Sequence, residues 1–241
     1  MSSSDEIEAR LHEVKAKRGY LLPHHGLLAI TSPRMLDAYD HAYTELALAP
    51  RVLSAHDREF VWLAILIATD EALATHHIGK FRAAGGTLAE LEAVLRLAAW
   101  AMGGRAYGFV GAHWLVHLPG LDLDAAYARA MPDAGRLAIM AAAAVHACLA
   151  DWPQFARAVV LAYAHGVPEP ELAEAVSLVM FPGSVPRFVE AARVWLELIR
   201  EGRVTPGPAF AAWAALPGQG GWDEAEGATP PASAQHTSPR S

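Results

Sequence analysis

A chain of 241 residues, 53% apolar and 19% charged, is long enough to bury a core as one large or two small domains, which excludes wholesale disorder. The net charge of −7, without any Lys/Arg-rich block, argues against binding a nucleic-acid backbone. Cys148 is the only cysteine, so neither an intrachain disulfide nor a two-thiol redox cycle within one chain is available.

The N-terminus, "MSSSDEIEAR", is polar and acidic and lacks the apolar segment of a signal peptide. Residues 1–50 read as an N-terminal arm, with a helix near 5–17, a loop "GYLLPHHG" and a second helix near 33–47. An apolar helix is expected over 56–68. Its run "EFVWLAILIATDEAL" is too short to span the roughly 30 Å of a bilayer core. An amphipathic helix follows over 70–84, with Asp70 as its N-cap, and Gly85 and Gly86 stop it. "TLAE" is a capping-box pattern, Thr87 at the N-cap and Glu90 three on. The helix it opens runs to Met102, where Gly103 and Gly104 break it, and another takes in Tyr107 to His117. "LPGLDLDAAYARAMPD" is a linker. Further helices are expected over 135–149, 152–165, 169–181 and 186–201, with Pro153, Pro168 and Pro170 near their starts. Beyond Arg203 the composition turns to Pro, Gly, Ala and Ser, which reads as a mobile tail over 204–241 whose early part Phe210, Trp213 and Trp222 can dock. Alanine, the best helix former, dominates, and valine and isoleucine do not alternate, so strands have little support.

The two central stretches align with each other at an offset of 81 residues. Gly85 pairs with Gly166, Leu97 with Leu178, Trp100 with Phe181 and Trp114 with Trp195. The expected organisation is all-α: an arm (1–50), a first helical unit (51–120), a second, degenerate unit (132–203) and the tail. The repeat also compares candidate site residues. His77 faces Ala158, Glu59 faces Met140 and Glu71 faces Trp152, so the first unit carries polar groups where the second has apolar or bulky ones.

The run "LSAHDREFVWLAILIATDEALATHHIGKFRAAGGTLAELEAVLRLAAWAMGG" resembles the carboxymuconolactone decarboxylase and AhpD-like superfamily. The shared features are an Arg-Glu pair opening an apolar helix, a histidine eight residues before a glycine, and Thr-x-x-Glu after it, here Arg58–Glu59, His77 with Gly85, and Thr87 with Glu90. The resemblance covers 33–117 directly and 135–200 as a weaker second copy. It implies tandem AhpD-like repeats that assemble as a homo-oligomer. The peroxidase branch of the superfamily needs Cys-x-x-Cys ahead of the histidine, and those positions hold Asp70 and Leu73. That mechanism is excluded there, since the thiolate is its nucleophile.

The decarboxylase branch implies loss of CO₂ from a small carboxylated lactone. Electrons from the breaking bond flow into a carbonyl that needs a donor or cation beside it, and a general acid then protonates carbon. His77 is the expected proton-transfer group, with Glu59 and Glu71 orienting it. Arg58 or Arg82 would hold a carboxylate, and His76, His24 and His25 are further pocket candidates. His113 and His117 have metal-clamp spacing on a helix, but no third ligand has a natural place, so neither metal nor cofactor is expected. Two other readings stay open: a non-catalytic helical binding or scaffold protein of this fold, and a peroxidase acting through Cys148. A cytoplasmic protein with a small-molecule substrate, contacting neither membrane nor nucleic acid, completes the expectation.

Overall fold

The computed structural model describes residues 4–133 and 135–225, so residues 226–241 of the expected tail lie outside the described residues. Helices make up the fold, and the described residues contain no strand. The arm comprises α1 (Ser4–Arg18), α2 (Pro23–Thr31) and α3 (Pro33–Tyr43), the last continuing into a π turn, Thr44–Leu48. The first half is α4 (Ala55–Ala68), α5 (His76–Ala83), α6 (Leu88–Met102) and the short α7 (Arg105–Phe109). A linking helix, α8 (Leu123–Ala130), leads to α9 (Arg136–Cys148), α10 (Trp152–Ala164), α11 (Glu169–Ser177) and α12 (Val185–Arg200). The chain then forms α13 (Pro208–Ala215) and α14 (Gly221–Ala225).

The centre is the pair α4 and α9. Every residue of α9 from Ala138 to Cys148 is buried, as are Arg58 to Ile65 of α4. Helices apolar on all sides belong inside a domain. The alanine run of α9 lets its neighbours approach closely, since interaxial distance follows side-chain size, and α4, α6, α10 and α11 all pack on it. At the helix starts Arg136 pairs with both Asp57 and Glu171, joining α4, α9 and α11. The arm has its own small core of Val14, Ala29 and Leu36.

Several local expectations change. His24 and His25 lie in the first turn of α2, not in a loop, because Pro23 supplies the φ of a helix start. Asp70 does not cap the next helix: it turns the chain at the end of α4 with φ 56°, and α5 begins only at His76. Glu90 closes the capping box with Thr87 as expected. The Tyr107–His117 stretch is not one α-helix; after Phe109 it passes through a π turn, Val110–Trp114, and a 3₁₀ turn, Leu115–His117. Residues 208–215 of the expected tail form α13, where Phe210 stacks on Trp195 at 5.2 Å and Trp213 meets it edge-on; Trp222 stays exposed. No helix among the described residues is long and apolar enough to cross a membrane.

Candidate active site

The polar centre of the first half forms where α5 crosses α4. Glu59, one turn into α4, and His77, in the first turn of α5, are each only 3% exposed. Glu59 Oε2 lies 2.6 Å from His77 Nδ1. Such a contact places the proton on Nδ1, so the carboxylate accepts and the imidazole is oriented. Trp62 lies against the ring at 4.9 Å between centroids. Among the described residues no hydrogen bond reaches His77 Nε2.

An open cleft of about 350 Å³ lies beside this pair, lined by Ala47, Leu48, Arg58, Glu59, Lys80 and Ala83 among others. Glu59 faces both the cleft and His77, whereas His77 is not among the cleft's lining residues. Arg58 is 7% exposed and donates from Nη1 to the carbonyl of Ala49 at 2.7 Å, while its Nε is buried without a partner. Glu174, reaching over from α11, lies 4.0 Å from the guanidinium and accepts from the backbone N–H groups of Val52 and Leu53. The second half thus holds the segment that leads into the site helix.

The arm supplies groups that sequence reasoning did not place here. The Tyr20 hydroxyl lies 2.8 Å from His76 Nε2 and 3.3 Å from the Tyr43 hydroxyl. The His76 and His77 rings are 4.2 Å apart. Arg18 sits over Tyr43 at 4.3 Å, held by Asp40 at 2.7 Å. Burial, helped by the nearby charges of His77, Lys80 and Arg18, pushes His76 down to about 3, so it is neutral. The one signal in the sequence was "KRGY", a cation and an aromatic at the end of a helix that a glycine stops.

The other expected residues lie apart. Glu71 is exposed in the turn after α4 and makes no bond to His77, whose Nδ1 already belongs to Glu59. Arg82 is exposed on α5. His25 is fully buried on α2, bonded by the backbone N–H of Leu22 and 3.1 Å from Arg18; burial first, then His24 and Arg18, pushes it down to about 4. His24 lies beside it, its Nε2 buried without a partner. His113 falls in the π turn and His117 in the 3₁₀ turn, both exposed, so the α-helical spacing of a metal clamp is not realised. Among the described residues no group of three or more His, Cys, Asp or Glu side chains is arranged to hold a metal. Burial raises the Cys148 thiol to about 12.

The described residues thus form a helical fold with a buried carboxylate–imidazole pair beside a cleft of mixed polarity. Residues 33–109 match the sequence model of the carboxymuconolactone decarboxylase family. The segment contains Glu59, His77 and every lining residue of the cleft. Comparison with curated proteins and with solved structures found no match.

Proposed function

We propose that the protein is a carboxymuconolactone decarboxylase-like enzyme that acts on a small carboxylated or lactone substrate by histidine-assisted proton transfer, not a Cys-x-x-Cys peroxidase. The observation that carries this reading is the 2.6 Å contact between Glu59 and His77 at the edge of the cleft. Arg58, with a buried and unpartnered Nε, takes the substrate carboxylate or the carbonyl oxygen that becomes negative as CO₂ departs. His77 Nε2 delivers the proton to carbon, and Glu59 holds the tautomer and stabilises the imidazolium between turnovers. Because His77 is not among the lining residues of the cleft, substrate binding has to open a path between Nε2 and the bound lactone.

The test is a decarboxylation assay on a panel of carboxylated unsaturated lactones, read by CO₂ release, with the wild-type protein and His77→Gln. Turnover that His77→Gln retains in full removes the mechanism. The position of His77 behind the cleft favours one second reading, a binding protein of the same fold without chemistry. Thermal stabilisation by the lactones with no CO₂ released would establish it. We extend the reading to assembly: the exposed Phe109, Trp114 and Val116 after α6 are the apolar surface that a second copy of the chain would cover. Sedimentation showing a monomer at micromolar concentration removes that extension.

A further inference from the structure

The chain has sixteen arginines but three lysines: Lys15, Lys17 and Lys80. Lys15 is exposed on α1, and Lys17 pairs with Asp40 at 2.8 Å. Lys80 is different. It lies on α5 three residues after His77, and its side chain lines the cleft with Arg58 and Glu59. Its Nζ is sealed from solvent and has no hydrogen-bond partner, with the Tyr43 ring 5.9 Å away. An ammonium group is a compact, strongly hydrated charge with three donors, so this is a poor place to leave one charged. The groups that act on it are Glu59, Arg58 and Arg18. Burial lowers its pKa most; Arg58 and Arg18 push the same way, and Glu59 opposes them. An arginine here would be permanently charged, whereas a lysine in such surroundings can lose its proton.

We propose that Lys80 is an amine nucleophile that forms an imine with the carbonyl carbon of a small oxo acid in the cleft, Arg58 taking the acid's carboxylate. The free amine adds its lone pair to the carbonyl carbon, and the nitrogen's proton passes to the carbonyl oxygen, giving a carbinolamine. A second proton, taken from water at the cleft mouth, lets that oxygen leave as water, and the carbon–nitrogen double bond of the iminium forms. No oxidant or reductant is consumed. The iminium is a stronger electron sink than a ketone, so an acid group beta to that carbon would leave as CO₂. This inference rests on the proposed function only in taking the cleft as a site for small carboxylates, and it does not need His77.

The test is reductive trapping on the full chain. The protein is incubated at neutral pH with pyruvate and sodium cyanoborohydride, and the adducts are located by intact mass and peptide mapping. Lys80 is expected to be labelled faster than Lys15 or Lys17 and to carry most of the adduct at early times. Lys80→Arg should abolish that adduct, and Arg58→Met should slow it. Acetone, which lacks the carboxylate, should label Lys80 more slowly than pyruvate does. His77→Gln should label normally even where it has lost turnover, which separates the two mechanisms. Labelling confined to Lys15, Lys17 and the N-terminal amine, or spread equally over all three lysines, overturns the proposal, and the wild-type peptide map decides this even if a variant fails to fold.

Discussion

Glu59 and His77 are each other's hydrogen-bond partner at 2.6 Å, and both are buried. Breaking a buried charge pair by deleting one partner costs about 3–5 kcal/mol, so alanine variants would confuse folding with catalysis. Isosteric changes separate the two. His77→Gln is expected to lower turnover by about 10²–10⁴-fold, the range of a positioned general acid, while circular dichroism shows the helices intact. Glu59→Gln should also lower turnover, because the carboxylate that orients the imidazole through Nδ1 is gone. Turnover equal to wild type would mean that Glu59 does not position the histidine. Cys148 is buried with its thiol raised to about 12. Since the reactive species is the thiolate, Cys148→Ser is expected to leave any peroxide consumption unchanged, and a loss would revive the thiol reading.

At the scale of elements, the position of α5 decides whether His77 and Lys80 face α4. The helix stops at Ala83, and the chain turns away through Gly85, whose φ of 93° suits glycine. The next residue, Gly86, lies flat against the ring of Phe81: a Cβ there would sit 2.4 Å from two ring carbons. Phe81 is fully buried and packs on His56 and Phe60, so the ring has little room to move. Gly86→Ala should therefore cost about 1–3 kcal/mol, the usual penalty of overpacking, and displace the helix that carries both residues. The expected result is a lower midpoint in urea together with reduced activity in the fraction that remains folded. A variant of wild-type stability would show that Phe81 adapts freely.

For the whole molecule, acid should be more damaging than charge count suggests. His146 of α9 is fully buried, with Nε2 3.0 Å from the Tyr127 hydroxyl and Nδ1 making no hydrogen bond, Asp151 lying 4.0 Å from it. Burial lowers it to about 3. Its folded value lies below the ordinary 6.5, so between about 6.5 and 3 the unfolded chain binds the extra proton. Stability from this group is complete above that window and is lost progressively as pH falls through it. Urea midpoints measured from pH 7 to pH 4 should fall, and His146→Gln should flatten the slope. An unchanged slope would show that other groups carry the acid sensitivity.

What the chain revealed unaided was punctuation and composition. Thr87 and Glu90 marked a helix start that the structure forms as a capping box, and the apolar run before Thr69 became the buried α4, because caps and burial patterns act over a few residues. The resemblance over 33–117 overlaps the family match over 33–109. Distant partners were a different matter. Nothing in spacing could say that Tyr20 would reach His76, that Glu174 would approach Arg58, or that Lys80 would lose its water while Glu71 and Arg82 kept theirs. Those outcomes depend on how α1, α5 and α11 meet α4, and so on packing between residues 56 to 116 positions apart in the chain. Burial, which decides whether a lysine is a solvated charge or a reactive amine, is a property of that packing and is not written in any local stretch.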